Sequence, residues 1–117
     1  MPSFRKGDVI EVPFPYANRP TRQSRPALVV SSGDLENAHG LLWMVMITSA
    51  QNRGWPADVP VNDLAAAGLP VPSVIRTAKS ATIEAADAAR LGRINPALYR
   101  QVARLISRVL GLGAARS

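Results

Sequence analysis

The sequence has no cysteine and a single histidine, His39. The first absence removes disulfides, thiolate nucleophiles and cysteine-based zinc sites together, and the second removes any cluster of histidine ligands. A metal would have to be held by carboxylates, and the 8 Asp and Glu residues are scattered along the chain. The longest apolar run, "LLWMVMI" from Leu41 to Ile47, is far short of the roughly 20 residues that a membrane-spanning helix needs. The opening "MPSFRKGD" carries no apolar stretch of the kind that marks a secretory signal. These absences predict a cytoplasmic protein without a membrane segment. No repeat, low-complexity tract or long linker divides the 117 residues, which predicts a single domain over residues 1–117.

Lysine is also scarce. Lys6 and Lys79 are the only two, in a total of 14 Lys and Arg that leaves a net charge of +6. A basic surface draws anionic partners and speeds their encounter, and the planar arginine fork suits two-pronged contacts to phosphate. An arginine-rich composition is also what a GC-rich coding sequence produces, so charge alone leaves nucleic acid as one reading among others.

What is present is a succession of short strands. "GDVIEVPF", from Gly7 to Phe14, alternates with a period of two and predicts a half-buried strand. "PYANRPTRQS" predicts an open loop, and "RPALVVS" a second strand, with Pro26 tolerated near its start. "SGDLENAHG" reads as a turn with about one helical turn. "LLWMVMITS" is apolar without interruption, so this third strand must be covered on both faces, with a second subunit as one candidate cover. "ADVPV", "SVIRTA" and "SATIEA" predict three further strands, with "NDLAAAGLP" a loop or short helix. The last element has a clear start, Asn95 as cap and Pro96 at the first helical position, where its missing N–H costs nothing. Leu98, Val102, Leu105, Ile106 and Val109 recur at helical spacing, Arg100, Arg104 and Arg108 fall on the other side, and Gly111 and Gly113 end the helix. Five or six strands closed by one C-terminal helix predict an α+β, mainly β fold: a small, strongly curved barrel.

"GDVIEVPFP", then "RPALVVSS", then an apolar strand ending in "ITSAQ", then "SVIRTAKSATIE" before "RLGRI" and a terminal helix together resemble the MazF/PemK/Kid family of toxin endoribonucleases. The resemblance runs from about Lys6 to Leu110 in the family's order. It implies an SH3-like barrel and a homodimer, and a type II toxin that cuts single-stranded mRNA at specific sequences with no metal or other cofactor. It also implies a cognate antitoxin protein that wraps the dimer. Arg25 matches the family's arginine before the proline of the second strand, Thr48 its threonine at the end of the third, and Arg76 the second catalytic arginine of the PemK/Kid branch. The acidic residue of that branch two positions further on is Ala78 here, and the first loop, residues 15–24, holds no histidine.

Cleavage of RNA by its own 2′-hydroxyl needs in-line attack on phosphorus and compensation of charge on the phosphorane-like transition state. Arg25 supplies fixed charge and paired donors for the nonbridging oxygens. Thr48 supplies one hydroxyl that donates or accepts. A guanidinium does not act as a base near neutral pH, so positioning and electrostatics outweigh proton transfer in this reading. Candidates for holding the RNA are Tyr16, Arg19 and Arg22 in the first loop, Gln51, Arg53 and Trp55 after the third strand, and Lys79. Loop aromatics stack on unpaired bases, and they also pack back onto their own barrel.

Each residue has a plainer alternative. Arg25 alone would be a solvated charge guarding a strand entrance, and Thr48 an ordinary strand residue. Arg76 is equally suited to pairing with Glu84 or Asp58. His39 sits in a polar turn apart from the motifs and reads as a surface histidine, and Trp43 as core or interface. Two other functional classes also fit a small barrel: a CcdB-like gyrase poison and a binding module without chemistry.

Overall fold

The alternation in "DVIEVPFP" builds β1 (Asp8–Pro15), which turns back as β2 (Arg22–Val29). The computed structural model that reveals this describes residues 2–15, 22–52 and 54–112. After β2 comes α1 (Gly33–His39), more than the single turn expected: the Ser32 hydroxyl caps its start, and Gly40, at φ 68°, ends it. Then follow β3 (Leu41–Ser49), a 3-10 turn at Ala50–Asn52, β4 (Asp58–Pro60), α2 (Leu64–Ala67) and β5 (Ser73–Glu84). A second 3-10 turn at Ala85–Asp87 leads to β6 (Ala89–Arg93) and α3 (Pro96–Val109). The Asn95 side chain caps α3 by accepting from the Leu98 N–H at 2.8 Å, and Pro96 opens the helix as expected.

All six strands form one antiparallel sheet in the order β4-β5-β3-β2-β1-β6. The α+β, mainly β class is the one expected, but the barrel is open, because β4 and β6 lie at opposite ends of that order. "SVIRTA" and "SATIEA" are one strand, not two. Along β5 the pair Met46–Arg76 is followed directly by Val45–Ser80, so residues 77–79 bulge out of the ladder. Pro26 lies inside β2 and not at its start, and the ladder from β2 to β3 stops beside it, at Ala27–Met46.

Apolar side chains fill both faces of the sheet centre. Val9, Leu28, Val45, Ile47 and Ile75 point to one side, where Leu98 and Val102 of α3 and Ala67 of α2 close over them. Ile10, Val12, Ala27, Val29, Leu42 and Met44 point to the other, against Phe4, Ala81 and Ile83. The continuous apolar run of β3 is thus covered on both faces, apart from Trp43, which is 53% exposed. On α3, Leu98 and Val102 are buried and Leu105 and Ile106 partly so, whereas Val109, expected on the same apolar face, is 69% exposed. No helix among the described residues is long and apolar enough to cross a membrane.

Two tight approaches shape one end of the sheet. Gly68, at φ 72°, ends α2 against the Leu91 backbone, and a Cβ there would overlap the Leu91 carbonyl oxygen. The buried Asp8 carboxylate accepts from Arg93 at 2.6 Å and from the Arg5 N–H at 2.9 Å, which ties the N-terminal turn to β6.

Candidate functional site

The strand register brings the matched residues to one place. Arg25 of β2 pairs with Val12 of β1, and two residues on, Ala27 pairs with Met46 of β3. Continuing that register two residues past the last bridged pair sets Arg25 against Thr48. Directly opposed residues of antiparallel strands share a face. Arg25 and Thr48 therefore stand on the same side of the sheet at the mouth of the β2–β3 pair, and both line one groove of ≈ 460 Å³. Leu69, Pro70 and Val71, following α2, form another part of the lining, and Glu11 is the one carboxylate among its described residues.

Thr48 is 6% exposed. Its Oγ1 accepts a hydrogen bond from the Asn52 Nδ2 at 3.1 Å, which leaves the hydroxyl proton to be donated elsewhere. Arg25 is half-buried at the groove's rim.

Arg76 shares that sheet face but does not line the groove. It pairs with Met46 on one side and Asp58 on the other, two residues along β5 from Val74, which opposes Thr48. Of the two carboxylates weighed as its partner, Asp58 holds it. The Arg76 Nε donates to Oδ1 at 3.2 Å and Nη2 to Oδ2 at 2.9 Å, a two-pronged pair in which both side chains are 8% exposed. Glu84 lies at the far end of β5, opposite Leu41. Nη2 also donates to the Asn52 carbonyl at 2.7 Å, and the guanidinium carbon sits 4.3 Å from the centre of the Trp55 ring. The hydrogen bond to Asp58 raises the Arg76 pKa above its ordinary value, outweighing burial, which lowers it. Its three hydrogen bonds among the described residues go to Asp58 and to the Asn52 carbonyl.

The described residues foreseen as RNA contacts lie on several elements. Gln51 is exposed on the turn after β3, Trp55 is 46% exposed with one ring face toward Arg76, and Lys79 is exposed on the β5 bulge. Tyr16, Arg19 and Arg53 lie outside the described residues, and of Arg22 only the backbone, in β2, is described. His39 ends α1, exposed, and is absent from the groove's described lining. Arg100, Arg104 and Arg108 are exposed on α3. Sequence reasoning missed Asn52, whose only signal was its place four residues after Thr48. Among the described residues no three His, Cys, Asp or Glu side chains lie close enough together to hold a metal ion.

A second groove, ≈ 430 Å³, lies between β3, β5 and α3 and is lined by Trp43, Val45, Ile106, Val109 and Leu110 among others. Trp43, Val109 and Leu110 are 53%, 69% and 58% exposed, an unusual grouping of large apolar side chains on a surface.

A search of curated proteins found no match. Among solved structures, a chain of the MazE-MazF complex from Deinococcus radiodurans superposes with a TM-score of 0.76 at 20% identity, covering 93% of this chain and 97% of that one. An endoribonuclease in complex with its cognate antitoxin from a mycobacterial species gives 0.73 at 18% identity, covering 97% and 98%. The Mycobacterium tuberculosis toxin MazF-mt6 gives 0.68 at 22% identity, covering 89% and 97%. These likenesses show the fold. The family model described as "PemK-like, MazF-like toxin of type II toxin-antitoxin system" matches residues 5–110, nearly the whole chain, and the chain therefore belongs to that toxin family.

Proposed function

We propose that the chain is a sequence-specific endoribonuclease, cutting single-stranded RNA by attack of the substrate's own 2′-hydroxyl, with no metal in the chemistry. The observation that carries this reading is the placement of Arg25 and Thr48 on one sheet face, lining one groove. In the reaction the 2′-hydroxyl gives its proton to water as its oxygen attacks phosphorus, negative charge builds on the nonbridging oxygens, and the bond to the 5′-oxygen breaks with that oxygen taking a proton from water. Arg25 faces that charge with two parallel donors, and Thr48 donates its hydroxyl proton to the same phosphate. Preorganised donors of this kind lower the barrier without reorganisation at the moment of reaction. The charge compensation that a divalent cation gives in other nucleases falls here to Arg25. Trp55, Gln51 and Lys79, with Tyr16, Arg19, Arg22 and Arg53, hold the strand on either side. A ring with one exposed face offers a base a stacking surface.

Two partners complete the reading. A second copy covers Trp43, Val109 and Leu110, since so much exposed apolar surface favours association. An acidic antitoxin segment lies along the groove and over Arg25, drawn by the +6 charge, in the way that the mycobacterial relative is paired with its cognate antitoxin. Light scattering checks the first: twice the 12.5 kDa chain mass is expected, and a monomer at micromolar concentration refutes it.

The central test is the purified chain with a long RNA in excess EDTA. Discrete fragments with 2′,3′-cyclic phosphate and 5′-hydroxyl ends are expected, with DNA spared because it lacks the nucleophile. A requirement for magnesium refutes the metal-free chemistry. Intact RNA together with gyrase-dependent DNA breaks refutes the ribonuclease and supports the CcdB-like alternative.

A further inference from the structure

The residues that surround Arg76 form a chain of contacts that ends on Thr48. Asp58 and Arg76 are cross-strand partners on β4 and β5, so the ladder itself aims the carboxylate at the guanidinium. The pair is two-pronged, and such pairs fix orientation as well as distance. The guanidinium so fixed donates to the Asn52 carbonyl at 2.7 Å, a short bond from a charged donor. Asn52 ends the 3-10 turn after β3 and belongs to no strand, so this bond anchors an otherwise exposed residue. Its side-chain amide then reaches back to donate to the Thr48 Oγ1 at 3.1 Å.

The segment beyond Asn52 is pinned at further points. The Trp55 ring lies on Arg76, and the Ala57 carbonyl accepts from the Thr77 hydroxyl at 3.1 Å. Ala57 itself stands at φ 70°, a backbone conformation uncommon for a residue other than glycine. Such a conformation persists only where neighbouring contacts hold it, and here they converge on the segment that carries Asn52.

We propose that Asn52 is a positioning residue for RNA cleavage, its amide setting the direction of the Thr48 hydroxyl, with Arg76 and Asp58 acting through it; the inference rests on the ribonuclease reading. A threonine hydroxyl rotates freely and carries one proton and two lone pairs. With one lone pair taken by Asn52, the proton is turned away from the amide and is available to a phosphate oxygen. This gives Arg76 a part different from that of a charge on the reacting phosphate, and one that does not need an acidic residue at Ala78.

The test is a kinetic cycle on an oligoribonucleotide, with kcat and KM measured separately. Asn52→Ala should lower kcat about 3- to 10-fold, the worth of one neutral hydrogen bond, with KM unchanged. Asn52→Asp should lower it at least as far, because a carboxylate accepts from the hydroxyl and turns its proton away from the groove. In a Thr48→Val background, where there is no hydroxyl to orient, Asn52→Ala should cost nothing more. A purely structural role would cost the same in both backgrounds, and that result overturns the proposal. Arg76→Lys should lower kcat in the wild type and add little to Asn52→Ala. The Asn52 side-chain amide resonance, which is read without RNA, should shift on Thr48→Val, and an unmoved resonance overturns the proposal as well. If the wild type leaves RNA intact, the ribonuclease reading falls and takes this one with it. If the wild type cuts and Asn52→Ala cuts equally fast, only the positioning role falls.

Discussion

Replacing Arg25 by alanine separates the chemistry from the fold. The residue is half-buried at the rim of the groove, and its backbone pairing with Val12 survives truncation because alanine keeps the Cβ and the N–H. No core cluster includes its side chain, so truncation opens no core cavity, and losing the interaction its side chain makes should cost about 1 kcal/mol. A domain with only about 5 kcal/mol of stability would then keep about 4, which leaves about 0.1% of molecules unfolded at 25 °C. Unfolding therefore cannot account for a large loss of rate. Deleting one set of preorganised donors from a transition state costs about 2.7–4 kcal/mol, or about 10²- to 10³-fold. The assay is kcat/KM on a short single-stranded oligoribonucleotide in EDTA, with a thermal melt on the same preparation. Arg25→Lys should recover part of the loss, because a point charge replaces the fork. A folded Arg25→Ala protein that cuts at the wild-type rate would refute the assignment of the groove as the reacting centre.

Thr48→Ala should also slow cleavage, and Arg25→Ala with Thr48→Ala should lose less than the product of the two single losses, since both act on one phosphate; strict additivity would count against a shared site. Gly68→Ala should lower the melting temperature, with about 1–2 kcal/mol from the left-handed backbone alone and more from the overlap with Leu91; an unchanged melt would show that α2 does not rest on β6 as described. Burial raises the Tyr99 phenol above its ordinary value of 10.0, so the folded chain keeps a proton that the unfolded chain gives up. Stability present below about pH 10 should therefore be lost as pH rises through the folded value, and Tyr99→Phe should flatten that fall; the same slope in both proteins would refute the contribution.

Much of the fold is legible because local chemistry and tertiary structure agree. Asn95 followed by Pro96 starts α3 where the two residues say it must, and the unbroken apolar run of Leu41 to Ile47 demands the two-faced burial that β3 has. The failures lie where pattern and pairing part. Lys79 looks like a polar break between two strands, yet it belongs to a bulge, where its side chain faces solvent although the strand continues. Val109 has the spacing of a core residue, but it lines the open groove between α3, β3 and β5 with Trp43 and stays 69% exposed. Whether Arg76 meets Glu84 or Asp58 depends on which strand lies beside β5, and no local pattern encodes that. Asn52 was invisible for a related reason: its bond to Thr48 crosses from a strand into a turn, where neither period applies.

Pro26 is the most instructive case, because the sequence shows it plainly and its consequence appears only in the sheet. A proline tolerated near the start of a strand reads as a residue at the margin, yet β2 runs back to Arg22 and stays paired with β1 throughout. On the β3 side the ladder covers only Ala27 to Val29. Each residue of a central antiparallel strand turns its N–H and C=O toward one neighbour, and the next residue turns toward the other. Pro26 has no N–H to give, so it can accept from Ile47 but not donate to it, and the β2–β3 ladder goes no further than Ala27–Met46; Arg25, the next residue, turns its own N–H and C=O toward β1. One missing donor thus leaves the β2–β3 pair unzipped at its mouth while β1 holds β2 in place. The two side chains remain on one face by register without being drawn into a continuous ladder, and both residues line the groove together with Glu11 and the segment from Gly68 to Val71. The juxtaposition of "RP" with an apolar strand is, in this sense, a structural instruction: the proline opens the end of the sheet, and the arginine before it is the residue left at the opening.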